Sequence, residues 1–514
     1  MPIPLRPSPR VWLLVIALVL PAVGARAKDT WRVARTEHFE VLSAASEKQT
    51  RRLLVDLEQF RASFLTNFAL GAAHEPRVNV VLFNSERTFT PYKPVYRGKP
   101  KDVAGYFVGG VDEVTIALDL EGGGDEWGDP TEAIFHEYIH LLVHTRGLTL
   151  PLWLNEGLAE LYSTFRVNGD TVEFGRPKDL YVAVLSQGAL MPMQRLTAVD
   201  ETAPEYNEEE RAGIFYAQSW ALAHFLVCGT DRTNAARLGR YLTALANPTA
   251  DGKDGTLREV FGKDFDLLED KLRAYLQGGS YYTRRAPAPL KLAPSAITMR
   301  LATDLERDCA LLNLRWRVHR GDGDLGAARH VARENPGAPR PRELVAIMAL
   351  AEGDVALATE SWERAAELGT ENAFALVQAV RIKLAEFGPA AEPAQRLAPA
   401  ELAKVRHWID GVLERSPLCD EAIEQLAWIE ARAPEVRVPA VQRVQGRANQ
   451  MKDRDPTLLA LALIRWRLGD PATARAITDA ILESRRALPS LKAAAREMRE
   501  HFESAGAAKP APAR

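Results

Sequence analysis

The spacing of hydrophobic and polar positions in the first half of the chain alternates between two periods. Residues 31–43 have the extended character of strands, whereas 47–65 repeats apolar residues at helical spacing. A run rich in β-branched residues at 77–83, and a stretch at 104–120 that divides at paired glycines, predict further strands. This alternation predicts a domain of α+β type, which we place at 28–283.

The remainder of this domain has mostly helical spacing. Residues 150–165 predict a helix that begins at Pro151, and 166–175 predict a β-hairpin that turns at Asn168 and Gly169. Further helices are expected at 177–187, 211–228, 232–245 and 263–277.

The second half of the chain is helical throughout. A proline- and alanine-rich stretch at 284–298 predicts a linker, an all-α region follows at 299–505, and 506–514 is expected to be a disordered tail. A Gly-Asp pair with an alanine five residues after the glycine recurs between helical patterns, at Gly323-Asp324 with Ala328, Gly353-Asp354 with Ala358, and Gly469-Asp470 with Ala474. The first two copies are 30 residues apart, near the period of two-helix repeats. The region loosely resembles tetratricopeptide (TPR-like) repeats, and stacked helix pairs without the groove of that family fit the pattern equally.

The first 27 residues have the features of an export signal. Arg6 and Arg10 precede the apolar run 11–20, and a small-residue site follows at Ala25 and Ala27. Cleavage after Ala27 would release the protein into a periplasm or the extracellular space, with no stable insertion in the membrane. An uncleaved anchor is the alternative, but the apolar run is short for a bilayer.

Composition and charge limit the kinds of binding partner that we expect for this protein. The chain has 514 residues, of which 46% are hydrophobic and 26% charged, and this length favours two or three domains of an ordinary soluble protein. The formal net charge is −3, and removal of the three arginines of the signal leaves −6. This balance gives no reason to expect nucleic acid or an anionic membrane as a partner. We expect buried free thiols at Cys228, Cys309 and Cys419, which form no Cys-x-x-Cys pair, with one disulfide as the alternative.

The stretch AIFHEYIHLLVH, 133–144, carries a His-Glu-x-x-His pattern inside an apolar helix. This helix is expected to begin with Asp129 as its N-cap. Positions four apart differ by about 40° around a helix axis, so His136 and His140 can direct their rings at one metal ion. Glu137 lies about 100° from His136, where it can accept the proton of a water at that ion.

A hydrolytic zinc site needs three protein ligands and one open position. The segment WLNEGLAEL places Glu156 after a 15-residue spacer from His140, which is long enough for the chain to reverse. Glu160 follows one helical turn later and can fix the orientation of a ligand histidine. Two packed helices would therefore supply a base, three ligands for Zn²⁺ and one orienting carboxylate.

These two segments resemble the gluzincin metallopeptidases, in particular the bacterial peptidase MA-like families, in which HExxH is followed after a short spacer by a Trp-Leu-x-Glu-Gly-Leu-Ala-Glu helix. The resemblance covers about 30–280 and implies a zincin-like catalytic domain. It also implies that His136, His140 and Glu156 bind Zn²⁺ and that Glu137 is the general base. A pair of core histidines is the alternative for His136 and His140.

The stretch FYAQSWALAHFL, 215–226, extends the resemblance to the helix that follows the zinc helices. In the related aminopeptidases a tyrosine of that helix stabilises the oxyanion of the tetrahedral intermediate, so Tyr216 is the candidate here. A phenol can donate a hydrogen bond to developing negative charge. A tyrosine near the surface of the core is the alternative. Of the other histidines, we expect His144 on the helix surface and His224 packed within its helix.

Two features depart from the family pattern. The 15-residue spacer is shorter than in thermolysin-like and aminopeptidase N-like enzymes. The Gly-Ala-Met-Glu-Asn motif with which the aminopeptidases hold a free amino end is absent, and the corresponding region reads AGYFVGGVDEVTIAL. We therefore expect an endopeptidase rather than an aminopeptidase, with strand 113–118 as the edge that pairs with an extended peptide.

The sequence thus favours an exported zinc peptidase that acts on a peptide or protein substrate, with a helical-repeat region that binds a protein partner. The alternative is a non-catalytic binding or assembly factor with a vestigial zinc site, and the intact base Glu137 counts against it. Hydrolysis of a non-peptide amide or ester would use the same residues.

Overall fold

The protein is described by a computed structural model over residues 30–507, apart from 69, 72, 97, 102, 111, 121–129, 188–189, 208, 246–256, 258–264, 322, 386, 388–394, 452 and 485. The predicted export signal, the predicted N-cap Asp129 and the tail from 508 onward lie outside the described residues. The chain from Trp31 onward forms one compact unit, in which an α/β region with a mixed sheet precedes an all-helical region. No helix in the described ranges is both long and apolar enough to cross a membrane.

Most strands of the α/β region lie within the stretches predicted to be strands, and those at 95–96, 99–100, 284–287 and 299–301 lie outside them. They are β1 (Arg32–Arg35), β2 (Phe39–Ser43), β3 (Val78–Phe83), β4 (Val95–Tyr96), β5 (Lys99–Pro100), β6 (Gly105–Gly109), β7 (Val114–Asp119), β8 (Arg166–Asn168), β9 (Thr171–Phe174), β10 (Arg284–Pro287) and β11 (Met299–Leu301). The predicted hairpin is formed by β8 and β9, which are antiparallel. Its turn contains Gly169 at φ 64°, a conformation that glycine adopts without strain.

Helices make up the rest of the regular structure. Those of the α/β region are α1 (Glu47–Asn67), α2 (Glu86–Phe89), α3 (Pro130–Thr145), α4 (Leu152–Ser163), α5 (Asp179–Gln187), α6 (Met193–Ala198), α7 (Pro204–Asn207), α8 (Glu209–Cys228), α9 (Arg232–Leu245) and α10 (Phe265–Gly278). Those of the helical region are α11 (Asp304–His319), α12 (Asp324–Glu334), α13 (Pro339–Ala351), α14 (Val355–Glu367), α15 (Ala373–Ala385), α16 (Pro399–Arg415), α17 (Asp420–Arg432), α18 (Val438–Ala448), α19 (Asp455–Arg467), α20 (Pro471–Glu483) and α21 (Pro489–Ala507).

The main sheet has the strand order β11-β1-β2-β3-β7-β6. Strands β2, β3 and β7 run parallel, whereas β6 is antiparallel to β7. The prediction that 113–118 forms the edge of the sheet is therefore wrong, because β7 lies between β3 and β6. The chain forms the edge strand β6 first and then turns at Gly110 into the inner strand β7. Every residue of β7 is buried. In the described part of the chain, β6 is the edge strand on this side.

Each face of the main sheet is covered by helices. On one face the core joins sheet residues such as Val80 and Ile116 to Phe60 of α1 and Tyr138 of α3. On the other face a second cluster joins sheet residues to one residue of α2 and one of α11: Val81, Phe83, Ala117, Phe89 and Leu314. The first helix of the helical region therefore belongs to the packing of the sheet.

The stretch that the sequence predicts as a linker, 284–298, begins with one strand and is followed by another. β10 pairs with β9, and β11, which comes directly after this stretch, pairs with β1. The helices then begin at Asp304, where the hydroxyl of Thr303 accepts a hydrogen bond from the backbone of Glu306, the third residue of α11.

The Gly-Asp motifs lie at turns between paired helices, as the sequence predicts. Gly353 and Gly469 both have φ 82°, and Asp354 and Asp470 are the N-caps of the helices that follow. The alanines of the motif pack where the two helices meet, and all three are 0% exposed: Ala328, Ala358 and Ala474. The repeated motif thus specifies stacked helix pairs.

Candidate metal centre

The His-Glu-x-x-His pattern lies on α3, whose apolar side packs on the core. Ile134, Tyr138 and Ile139 are fully buried, because they recur at the spacing that covers one side of a helix. His136 and His140 project from the other side and are half-buried. The same amphipathic pattern that anchors the helix therefore turns both imidazoles away from the sheet.

Three potential ligand atoms converge between α3 and α4. Nε2 of His136 and Nε2 of His140 are 3.2 Å apart. Oε2 of Glu156 is 3.4 Å from the first nitrogen and 3.8 Å from the second. A tetrahedral zinc ion with ligand distances of about 2.0–2.2 Å requires ligand atoms about 3.3–3.6 Å apart. The three observed distances, 3.2, 3.4 and 3.8 Å, lie on both sides of this range, so these three atoms could hold one metal ion.

Glu160 lies behind His136, as the sequence predicts for an orienting carboxylate. Its Oε1 is 3.3 Å from Nδ1 of His136, and its Oε2 accepts a hydrogen bond from Nζ of Lys178. Burial alone would raise the pKa of Glu160, but His136 and Lys178 lower it to about 2. Burial alone would lower the pKa of His136, but Glu156 and Glu160 raise it to about 10. The carboxylates of Glu156 and Glu160 thus stabilise positive charge at His136.

The second histidine has a different environment. Nδ1 of His140 is buried without a hydrogen-bond partner among the described residues, and so is Oδ1 of Asn155, the residue that precedes Glu156. These two atoms are a donor and an acceptor on neighbouring helices.

The predicted base and the predicted oxyanion donor have different surroundings. Glu137 is exposed at the surface of α3. Tyr216 lies on α8 and is half-buried, and burial together with the nearby carboxylate of Glu156 raises the pKa of its phenol. Its ring is 6.0 Å from that of Tyr206, to which it is hydrogen-bonded. The structure therefore brings Tyr216 close to Glu156.

Sequence reasoning missed three side chains that contact this group: Lys178, Tyr181 and Tyr206. The first two lie at the start of α5, and the hydroxyl of Tyr181 hydrogen-bonds Glu160. Tyr206, on the short helix α7, is close enough to both Glu156 and Glu137 for their charges to raise its pKa, together with its burial. Lys178 and Tyr181 are three residues apart, a spacing that indicates a shared side of a helix. This spacing does not predict which other helix that side packs against.

The edge strand β6 runs beside the helix that carries the histidines. A side chain at Gly105 would bring its Cβ to 3.2 Å from Ile134 of α3. Further along, the rings of Phe107 and Tyr138 are 6.4 Å apart. His136 and Glu137 lie between these two contacts in sequence, so the strand flanks the part of α3 that carries them.

The structure also locates His144, His224 and the three cysteines. His144 is exposed, as predicted. His224 is buried and bonds the hydroxyl of Tyr275 at 2.7 Å and the carbonyl of Gly175 at 2.8 Å, and burial lowers its pKa to about 4. The three cysteines are buried free thiols, as the sequence predicts.

Neither a protein-family model nor a curated protein sequence matches this chain.

Proposed function

We propose that this protein is a zinc-dependent peptidase of the gluzincin type, in which His136, His140 and Glu156 hold the ion. The observation that carries this proposal is the convergence of their three ligand atoms, at 3.2, 3.4 and 3.8 Å, on the surface of a helix pair. The exposed carboxylate of Glu137 on the same helix adds a base that a purely structural site would not need.

The side chains around the ion have separate tasks in this proposal. When bound, Zn²⁺ acidifies water and polarises a carbonyl group. Glu137 accepts the proton of the attacking water and delivers it to the leaving amine. The phenol of Tyr216 donates a hydrogen bond to the negative charge that develops on the carbonyl oxygen.

An extended peptide is the substrate that best fits the edge strand β6 beside the metal centre. The outer side of β6 carries unpaired backbone groups within the described part of the chain, and such an edge can pair with a peptide strand. A peptide bound there would lie along α3, beside Glu137. A bond within a longer chain is accommodated as readily as a terminal one, so we propose an endopeptidase.

The other parts of the proposal concern location and partner. The predicted signal at 1–27 supports export to a periplasm or the extracellular space. Stacked helix pairs of the kind found from α11 to α21 form extended surfaces that bind proteins. We therefore propose that the helical region binds a protein partner of the enzyme.

Metal analysis of the purified protein tests the site. We expect one zinc per chain, and loss of most of it in Glu156→Gln, which removes one anionic ligand and preserves its shape. Glu173→Gln, on the surface hairpin, is the matched control and should retain zinc. Protein that binds no zinc, or binds it equally well without Glu156, would rule out the proposed centre.

A non-catalytic binding factor is the second proposal, and the paired helices of the C-terminal region favour it. If it is correct, Glu137→Gln has no effect on the biological activity of the protein, whereas changes on the helical region abolish that activity. Hydrolysis of a non-peptide amide or ester would instead depend on Glu137 in the same way as peptide hydrolysis.

A further inference from the structure

The turn that joins β6 to β7 is bound by side chains of the helical region. The two carboxylate oxygens of Asp112 accept hydrogen bonds from Nη2 of Arg317 on α11, both at 2.7 Å. The two oxygens of Glu113 accept from Nη2 of Arg340 on α13, both at 2.9 Å. Asn313 of α11 also donates to Glu113. Two helices therefore hold the turn that follows the edge strand.

Three of these four charges lie in the interior, whereas the side chain of Arg340 is 33% exposed. The side chain of Arg317 is 3% exposed, and those of Asp112 and Glu113 are 7% and 8% exposed. Solvent screens such pairs weakly, and loss of one partner leaves the other charge buried and unpaired. The turn is therefore constrained by its partners on α11 and α13.

The backbone of the turn also approaches the helical region closely. A side chain at Gly110 would place its Cβ 1.9 Å from Nη1 of Arg317, so any larger residue there would require the guanidinium to shift. The amide of Gly110 donates to the carbonyl of Glu113 at 2.9 Å and closes the turn. The guanidinium of Arg317 therefore lies directly against the backbone that follows β6.

The same network continues into the next helix pair. Nη1 of Arg340 donates to Glu343 at 2.8 Å, and Glu343 in turn accepts hydrogen bonds from Thr370 and from Asn372, the latter at 3.2 Å. Thr370 and Asn372 precede α15. A continuous set of polar contacts thus connects the β6–β7 turn to the loop between α14 and α15.

We propose that Arg317 and Arg340 are positioning residues for the edge strand β6, so that the helical region sets the position of the strand on which an extended substrate is bound. Within the described residues, strand β6 is hydrogen-bonded on one side only, to β7, and its far end is fixed by this turn. Neither arginine contacts a candidate zinc ligand among the described contacts, so they act on substrate binding and not on the ion. The part that concerns substrate rests on the proposed function.

The test compares Arg340→Gln with Arg406→Gln in the full chain. Arg406 forms a two-bond ion pair with buried Glu430, at 3.0 and 2.7 Å, and both residues lie on helices away from the turn. We expect Arg340→Gln to raise the KM for a peptide substrate roughly 2- to 30-fold, the range of coupling seen for residues that touch no ligand, with kcat and zinc content unchanged. Arg406→Gln should leave KM unchanged, and Arg340→Lys should restore part of the loss.

Amide hydrogen exchange gives a second measurement that needs no substrate. We expect faster exchange across 105–118 in Arg340→Gln, and no change there in Arg406→Gln. Unchanged exchange in Arg340→Gln would overturn the proposal whatever the enzymatic activity. Faster exchange with an unchanged KM would overturn the link between the strand and the substrate. Faster exchange in a protein that hydrolyses no peptide would support the positioning and count against the proposed peptidase function alone.

Discussion

The carboxylate of Glu160 faces His136 with one oxygen and Lys178 with the other. Because these partners hold its pKa at about 2 in spite of burial, Glu160 stays ionised at neutral pH. An ionised partner on Nδ1 favours the tautomer of His136 whose Nε2 can bind a metal ion. The orientation of this ligand thus depends on a residue that would not itself touch the ion.

Glu160→Gln tests this role, because it removes the charge and preserves the shape. We expect zinc affinity to fall roughly 10- to 100-fold, the usual effect of losing such a partner, measured by competition with a chromophoric chelator. Lys178→Met is the matched control, since it removes the other contact of the same carboxylate, and its effect should be much smaller. Equal losses in the two variants would contradict the orienting role of Glu160.

The ligand residues could be predicted from sequence because helical geometry alone fixes their relation. His136 and His140 lie four apart, as do Glu156 and Glu160, so each pair shares one side of its helix. Lys178 and the two tyrosines Tyr181 and Tyr206 could not be predicted, because they reach the site from helices whose packing depends on the whole domain. Tyr216 was found only through the family resemblance.

At the scale of elements, α4 is placed by its close contact with α8. A side chain at Gly157 would bring its Cβ to 2.5 Å from the carbonyl oxygen of Ser219, and a backbone atom cannot move aside as a flexible side chain would. Glu156, the proposed third ligand, is the adjacent residue. The absence of a side chain at Gly157 therefore sets the distance between α4 and α8 next to the site.

Gly157→Ala should destabilise the protein by about 1–3 kcal/mol, since overpacking outweighs the better helix propensity of alanine. The displaced α4 should also lower zinc affinity. Gly239→Ala in α9 is the matched control, because no atom lies within 4 Å of the added Cβ, and it should stabilise the helix slightly. Urea denaturation and zinc titration of both variants measure these effects; equal stability of the two variants would contradict the close-contact argument.

Helices α1 and α3 are joined by Glu75, which lies between α1 and β3 in the chain. Its carboxylate accepts hydrogen bonds from Arg61 of α1 at 2.8 and 2.7 Å and from Arg146, directly after α3, at 2.5 Å. Burial raises the pKa of Glu75, but the two arginines lower it below its ordinary value of 4.5. The ion pairs therefore contribute to stability when Glu75 is ionised.

The sign of the pH dependence follows from this lowered pKa. The contribution of Glu75 is complete above the unfolded-state value of about 4.5 and is lost as the pH falls through the folded-state pKa. We expect Glu75→Gln to cost about 1.5–3 kcal/mol at neutral pH, since it weakens charged hydrogen bonds to two half-buried arginines. The difference from wild type should shrink on acidification.

Urea denaturation from about pH 6 to about pH 3 measures this difference. Glu47→Gln, which removes an exposed carboxylate from the first turn of α1, is the control and should follow wild type closely. A difference between Glu75→Gln and wild type that stays constant over this range would contradict the assignment.

At the scale of the whole molecule, the two regions share their packing. Leu314 of α11 is fully buried against Val81 and Phe83 of β3 and Ala117 of β7. The sequence predicts the order of the regions, because the hydrophobic period changes between them. It could not predict this shared packing, since α11 has the same amphipathic pattern whether it packs on a sheet or on another helix.

Leu314→Ala tests whether α11 is part of the α/β core. We expect a loss of about 2–5 kcal/mol in the free energy of unfolding and faster amide exchange in β3. Leu463→Ala, at an equally buried position on α19, is the matched control and should leave exchange in β3 unchanged. Slow exchange in β3 of Leu314→Ala would show instead that the helical region folds independently of the sheet.

We propose that the His136, His140 and Glu156 group supports peptide hydrolysis with Glu137 as the base. Mass spectrometry can compare a peptide mixture incubated with the zinc-loaded protein and, separately, with zinc-loaded Glu137→Gln. We expect new internal cleavages with the wild-type protein and their loss with the variant, at equal zinc content. Identical peptide patterns for the two proteins would show that Glu137 is not the base of a peptidase.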